Sequence, residues 1–573
     1  MRRGMTRWRS HLLAVAATAV LYALAFPYPG WSSLAYLALV PAGVMAARSR
    51  RWGVLLLCAW LGFMGFWLAR IGWVQPVATW GGYLALAGLM AAWQAGALGM
   101  MWVLVRQWRL AAVLALPAAW VTMELGRINI PAGGFGWFVL GHSQGPWQVG
   151  MAAGRIVQIA DVLGELGVSF FIAMTSGLIV DLLTRPWMKQ VAGQRRWRKT
   201  LRAGLALWIT SAVGLWIYGG HRIAQTPDVT TTGPTVAAVQ TDVMLRHDTS
   251  RTREDEAKEW KTLQKLTVEA AGDASQPALI IWPETMVPGP VNREARELAR
   301  GGSAGVYGSR LYHDQIAHLA QRLNVALLVG ASSIDALAPV TFPDGKEGYL
   351  PSKRANSVHL YQANGTQWDT RYDKMHLVPF GEYVPWVSHW PTLKAQFIDW
   401  FSPWGVDYTV TPGRDPVVFE VVIAKRNAAF RVATPVCYED VAPAVVRDMV
   451  YSPDGLKRVE LLANMTNSGW YPVGSQRVQQ LQIATLRTIE NRVPMIRSVN
   501  SGTSAYIDST GRITQTRTHD QGASWLASPV QVDSRSAVYG RLGSWPAVML
   551  AGLTCVAVLG GVIRRGTLRR TGD

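Results

Sequence analysis

Eight apolar runs punctuate the chain, at approximately residues 11–26, 31–47, 52–69, 80–105, 110–124, 163–184, 203–219 and 544–563, and a long polar segment separates the seventh from the eighth. Most runs approach the ~20 residues that a helix needs to cross a bilayer, so the pattern predicts a domain of eight transmembrane helices. Pro27, Pro29 and Gly30 sit between the first two runs and make them a helical hairpin. Ala23-Leu24-Ala25 has the form of a signal-peptidase site, but Pro27 and another apolar run follow at once, which favours a retained helix. Between the fifth and sixth runs, residues 126–162 mix Gly, Pro, Trp and Phe. Such a segment fits an external loop or a lipid-facing rim at the membrane surface, where Trp concentrates.

The polar segment follows different periods. Strand patterns occur at Thr235–Gln240, Ala278–Trp282, Val325–Gly330, Ala428–Val436, Glu460–Ala463, Met495–Val499 and Ser504–Asp508, and helical spacing at Arg253–Ala271, Ser309–Leu323, Val441–Tyr451 and Ser475–Asn491. Ser357–Tyr361 and Gln367–Tyr372 flank Asn364-Gly365, which predicts a hairpin. Alternation of this kind predicts an α/β layered domain, interrupted at residues 384–415 by an insertion rich in Trp, Pro and Phe. The expected organisation is residues 1–219 with seven transmembrane helices, 220–540 as the α/β domain, and 541–573 with the eighth helix and a tail.

Charge refines this picture. The net charge of +19 lies in five short clusters beside the apolar runs: four Arg in 2–9, three in 48–51, two in 106–109, seven Lys/Arg in 185–202 and four Arg in 564–570. Placing the amino terminus in the cytoplasm puts all five on the cytoplasmic side, as the positive-inside rule requires. The charge is therefore a topology signal and argues against a nucleic-acid partner. Both termini are then cytoplasmic, and residues 220–540 lie on the opposite face, periplasmic in a bacterium.

Among three cysteines, Cys58 and Cys555 fall inside apolar runs and Cys437 stands alone in the polar segment, so no disulfide framework is expected. Cys437 lies where an apolar strand gives way to helical spacing, a turn that exposes a nucleophile. Two other strand ends carry ionisable groups: Glu284 after Ile280-Ile281-Trp282-Pro283, and Lys374 after Tyr372-Asp373. Open α/β sheets place their sites at such ends. A thiol with a pKa near 8.5 needs a base or a nearby cation to act as a nucleophile. Glu284 and Lys374 fit those roles; His376 is a rival base that would make a papain-like pair with Cys437. Spacing does not choose between them. Neither a metal-ligand cluster nor a nucleotide-binding glycine loop is present in the sequence, so no cofactor is expected.

The stretches Trp282-Pro283-Glu284-Thr285, Tyr372-Asp373-Lys374-Met375-His376-Leu377-Val378-Pro379-Phe380-Gly381-Glu382, Cys437-Tyr438-Glu439 and Asn464-Met465-Thr466-Asn467-Ser468-Gly469-Trp470 together resemble the bacterial apolipoprotein N-acyltransferases, a membrane-embedded branch of the nitrilase superfamily. The likeness covers essentially the whole chain. One departure is visible: the family usually carries Asp where Ser468 stands. The resemblance implies an α-β-β-α sandwich with a Glu284–Lys374–Cys437 triad and a bacterial inner-membrane location. It implies that Glu284 accepts the thiol proton, that Cys437 takes an acyl chain from a phospholipid, typically phosphatidylethanolamine, and that Lys374 with the backbone N–H of Tyr438 stabilises the oxyanion. The acyl group then passes to the amine of a diacylated lipoprotein. Glu382 and Glu439 are expected to orient Lys374 or the thiol, and Trp470 to cover the site. The aromatic stretch Trp386–Trp404 and the loop at Phe135 and Trp137 are candidates for an acyl-chain groove or for membrane anchoring. A membrane-tethered nitrilase-type amidohydrolase is the alternative, although seven helices before the domain are more than a tether needs.

Overall fold

The computed structural model describes residues 2–191, 194–244, 252–300, 308–341, 347–386, 390–401, 409–423, 428–471 and 474–570. The chain divides into two compact units, one made of residues 1–145, 153–225 and 537–573 and the other of residues 146–152 and 226–536.

The first unit is helical, and every apolar run of the sequence lies on helix. Among the described residues, five helices are long and apolar enough to cross a membrane: Trp52–Arg70, Trp80–Gln107, Arg155–Thr184, Lys199–Ala224 and Trp545–Gly566. The chain is an integral membrane protein on this ground. The expected count of eight is not met by length and composition. The first apolar stretch reaches only over Trp8–Leu24, and the second, Ser32–Arg48, is short and broken into a 3-10 turn and two helices, with Pro41 at the start of the last. Ala112–Asn129 carries Glu124 and Arg127 in its final turns.

Within the segment read as a surface loop or lipid-facing rim, residues 148–152 are exposed, and the stretch around Trp137 is corrected by the structure. Trp137, Phe138, Val139 and Leu140 are buried within this unit. The reason is polar: the Arg127 guanidinium donates to the carbonyl oxygens of Phe135, Trp137 and Phe138, while Glu124 accepts the N–H of Leu140 at 2.7 Å. With its backbone groups satisfied internally, the loop can enter the bundle. Trp137 packs on Trp73 at 5.0 Å and Phe135 on Trp67 at 5.9 Å.

The second unit holds two six-stranded sheets. Numbering its strands in chain order, β1 is Thr230–Gln240, β2 Leu279–Ile281, β3 Ala326–Thr341, β4 Glu347–Tyr361, β5 Tyr372–Asp373, β6 Val418–Ile423, β7 Ala428–Ala433, β8 Leu461–Thr466, β9 Met495–Val499, β10 Thr503–Ile507, β11 Ile513–Thr518 and β12 Ser524–Asp533. The first sheet runs β12-β1-β2-β3-β4-β5 and the second β11-β10-β9-β8-β7-β6. Each has a parallel core, β1-β2-β3 and β7-β8-β9, flanked by antiparallel strands. The parallel strands of the first sheet carry buried apolar runs at Val236–Val239, Leu279–Ile281 and Ala326–Val329 because both faces are covered. Ser498 on β9 donates to the carbonyls of Val239 and Ile281 at 2.8 and 3.0 Å, which pins one sheet against the other. Outside the first sheet, Arg253–Ala271 and Ser309–Leu323 bury Trp260, Leu263, Leu266, Ile316 and Leu319 against it; Ser475–Asn491 packs over the second. The result is a nitrilase-like α-β-β-α sandwich.

Both predicted helices of the first layer, and Ser475–Asn491, start and stop where the pattern placed them. The hairpin departs from expectation on its return side. Its turn closes at Gly365, φ 85°, but after one bridge at Gln367 the chain leaves the sheet until Tyr372. Gln367 turns its amide inward to Val291 O and His359, and that draws the segment off the strand.

Candidate active site

Three strand ends of the second unit bring their ionisable groups together. Glu284 follows β2 across the Trp282-Pro283 step, and its turn lies flat against β3 because Gly330 has no side chain; a Cβ there would meet Pro283 O at 2.4 Å. Lys374 follows β5, its N–H bonded to Asn356 O at 2.8 Å. Cys437 follows β7 and opens the 3-10 turn Cys437–Val441, with φ of 49°. That left-handed conformation is sparsely populated for a residue with a side chain and marks a strained turn.

Lys374, 1% exposed, is the centre of the arrangement. Its ammonium lies 3.2 Å from Glu284 Oε1 and 2.9 Å from Glu382 Oε1. Burial pulls its pKa down, but the charges of Glu284 and Glu382 outweigh that and hold the ammonium charged. The second Glu284 oxygen accepts the backbone N–H of Asn467 at 2.9 Å, and Oε1 also accepts Asn356 Nδ2 at 2.7 Å. The same Asn356 amide donates to Glu382 Oε1 at 3.2 Å, and Glu382 Oε2 accepts Val378 N–H at 2.8 Å. A carboxylate so held cannot rotate away from its lysine.

The Cys437 thiol is half-buried. Burial pushes its pKa well above the ordinary thiol range, the negative charge of Glu284 adds to this, and Lys374 opposes it. The resting thiol is therefore protonated, and a base must remove its proton for it to attack anything. His376 lies with its ring stacked on Tyr438, centroids 5.6 Å apart at 6°, and burial pulls its pKa down, with Lys374 in the same sense.

Glu439 ties the lysine and cysteine segments together. Its Oε1 accepts Tyr372 OH at 2.7 Å and the N–H groups of Met375 and His376 at 2.8 and 3.0 Å, and its Oε2 accepts Val436 N–H at 2.7 Å. It braces the backbone on both sides rather than touching the ammonium. Trp470 ends the 3-10 turn Ser468–Trp470, which is capped by the Asn467 side chain on Gly469 N–H at 3.1 Å. The turn is thus closed by residue 467, and Ser468 lies buried within it. Trp386 is exposed and belongs to the insertion; Trp404 lies outside the described residues. Phe135 and Trp137 belong to the helical unit.

Sequence reasoning missed Asn356, Gln480 and Tyr471. Gln480 donates to Cys437 O at 3.2 Å. Burial pushes the Tyr471 phenol up. Asn356 sits mid-strand and Gln480 mid-helix, where a polar side chain ordinarily faces water, and nothing in the local pattern marks either as inward-facing. For Asn356 the only signal was position: it precedes the predicted strand Ser357–Tyr361 in a long polar stretch.

A carbon-nitrogen hydrolase family model matches residues 235–530, and a model of the apolipoprotein N-acyltransferase N-terminal domain matches residues 18–178. An apolipoprotein N-acyltransferase of Allorhizobium ampelinum is 30% identical over 529 residues, covering 88% of this chain and 87% of the relative. One from Geobacter metallireducens is 26% identical over 565 residues, covering 96% of this chain and 95% of the relative. Among solved structures, an amidase from a Nesterenkonia species aligns at 14% identity and a TM-score of 0.36, covering 56% of this chain and 97% of the amidase.

Proposed function

This chain belongs to the apolipoprotein N-acyltransferase family, and on that basis we propose that it moves an acyl chain from a phospholipid, through a thioester on Cys437, to the amino-terminal amine of a diacylglyceryl-cysteine lipoprotein. The observation that carries the proposal is the buried Lys374 ammonium shared by Glu284 and Glu382 at 3.2 and 2.9 Å beside a protonated thiol.

Glu284 takes the thiol proton as sulfur bonds to the ester carbonyl carbon. The carbonyl oxygen becomes an oxyanion, stabilised by Lys374 and the N–H of Tyr438. Collapse breaks the ester C–O bond, and the lysophospholipid alkoxide leaves with the proton that Glu284 returns. In the second half, the acceptor amine attacks the thioester, Glu284 takes its proton, the amide C–N bond forms and the C–S bond breaks. The thiolate recovers the proton, and the enzyme is restored. No cofactor is called for in either half. Glu382 and Asn356 hold the base and lysine at fixed separation, Glu439 braces the two loops, and Trp470 covers the site.

Phosphatidylethanolamine is the proposed donor. The proposed domain limits are 1–219, 220–540 and 541–573, with eight membrane crossings, the catalytic domain on the periplasmic face of the inner membrane and both termini cytoplasmic; the five basic clusters support that orientation. Purified full-length protein given phosphatidylethanolamine and a diacylated lipopeptide should yield triacylated lipopeptide and lysophospholipid, with an acyl mass on Cys437 when acceptor is withheld. Cys437→Ser should lose both, because an alkoxide is far harder to form than a thiolate. Release of free fatty acid or ammonia with no triacylated product would overturn the reading.

A further inference from the structure

The strained turn at Cys437 raises the question of what holds it. On its amino-terminal side the answer is the sheet: Pro435 O accepts Met465 N–H at 3.2 Å and Asn464 Nδ2 at 3.1 Å, and Val436 N–H is held by Glu439. On its other side the Cys437 carbonyl accepts Gln480 Nε2 at 3.2 Å, from the middle of the helix Ser475–Asn491. Gln480 is buried, 6% exposed, and the same nitrogen lies 3.5 Å from Asp440 Oδ1. Asp440 in turn pairs with Arg497 Nη1 on β9 at 2.8 Å, both fully buried. A chain of buried polar contacts thus runs from the second sheet, through Arg497, Asp440 and Gln480, to one oxygen of the nucleophile's own peptide.

The Cys437–Tyr438 peptide is trans, and a trans peptide is planar with its C=O and N–H pointing in opposite directions. Whatever fixes the Cys437 oxygen therefore also fixes the direction of the Tyr438 N–H. We propose that Gln480 is a positioning residue for acyl transfer: by holding the Cys437 carbonyl it aims the Tyr438 N–H at the oxyanion, with Asp440 and Arg497 setting the Gln480 amide. This rests on the acyl-transfer reading of Cys437. A donor pre-aimed in this way acts only when charge develops on the substrate carbonyl oxygen, so its loss should slow the chemical step and leave substrate binding alone.

The test separates oxyanion chemistry from thiol chemistry. Alkylation of a thiolate by iodoacetamide displaces iodide at a saturated carbon and has no oxyanion to stabilise, whereas thioester formation from phospholipid does. Gln480→Met in the full-length protein keeps length and burial and removes the donor. Expected are a fall of about 10- to 100-fold in the single-turnover rate of Cys437 acylation, a phospholipid KM within about twofold of wild type, and a Cys437 alkylation rate within about threefold; loss of one oxyanion donor costs about 10²–10³ elsewhere, and misaiming one costs less. Gln480→Asn, which keeps the amide but withdraws it by one methylene, should behave alike and guards against a folding defect peculiar to Met. An unchanged acylation rate in both variants overturns the inference, and so does a parallel fall in acylation and alkylation, which would mean that the glutamine merely supports the turn. Absence of any acyl mass on Cys437 in the wild-type protein would instead sink the acyl-transfer reading itself, and the inference with it.

Discussion

Asn356→Leu is the sharpest probe of how Glu284, the proposed base, is held. The substitution keeps the side-chain volume and removes the amide that donates to Glu284 Oε1 at 2.7 Å and to Glu382 Oε1 at 3.2 Å. Glu284 then retains two of its three donors, the Lys374 ammonium at 3.2 Å and the Asn467 N–H at 2.9 Å. A hydrogen bond to a charged group contributes about 1.5–3 kcal/mol. The lost donor restrains the oxygen that also faces Lys374, so the larger part of that energy is spent in keeping the base aligned for proton removal. At about 1.4 kcal/mol per tenfold in rate, thioester formation should slow by about 10- to 100-fold. The measurement is single-turnover acylation of Cys437, quenched at intervals and read by mass spectrometry, with phospholipid varied to extract KM. KM should stay within about twofold, because Asn356 touches the base and its neighbour Glu382. A folded Asn356→Leu protein that acylates at the wild-type rate would refute the idea that this amide positions Glu284, and leave Lys374 and Asn467 as sufficient.

Two further outcomes follow from the electrostatics and the charge pattern. His359 on β4 is buried, accepting from Gln367 Nε2 on Nδ1 and meeting Ser333 Oγ at 3.1 Å, so its ring is neutral; burial first, then the nearby Arg371, Arg296 and His313, lowers its pKa to about 3. An unfolded chain takes up that proton near pH 6.5, so between pH 6.5 and 3 it binds more protons than the folded one and stability falls as pH drops, by about 1.4 kcal/mol per unit. The melting temperature should therefore decline from pH 7 to 5, and His359→Gln should flatten the decline; an identical slope in the variant would exclude His359 as its source. Accessibility tags at residues 190 and 340 should report opposite faces of the membrane, and finding both on one face would break the proposed topology.

Much of the site was legible because its chemistry sits at strand ends. Glu284 and Cys437 each follow a run of apolar residues whose period announces a strand, Lys374 follows the return side of the hairpin that Asn364-Gly365 announces, and the period of 3.6 in Arg253–Ala271, Ser309–Leu323 and Ser475–Asn491 gave those helices to the residue. Glu382 and Glu439 were singled out by resemblance, and the contacts assign them different tasks: one on the ammonium, the other on backbone N–H groups. Asn356 and Gln480 escaped notice since each lies inside a regular element, where only the packing partner across the sheet decides whether a polar residue faces water or a buried carboxylate. The loop at Trp137 misled for a similar reason. Tryptophan, glycine and proline together read as membrane surface, whereas Arg127, on the preceding helix, supplies the donors that let the backbone carbonyls be buried.

By itself the sequence determined the division into apolar helices and an α/β domain, the positions of the basic clusters, and Glu284, Lys374 and Cys437 as ionisable candidates at strand ends with His376 as a rival, because hydrophobic period, charge and strand-end position are local properties of the chain. Only the tertiary structure decided that Lys374 is shared between two carboxylates, that Glu439 braces both reactive loops, and that the Cys437 turn is held from a helix 43 residues further on. Those contacts join residues far apart in sequence through buried hydrogen bonds, whose geometry is set by how the two sheets and their helices pack and leaves no trace in any local pattern.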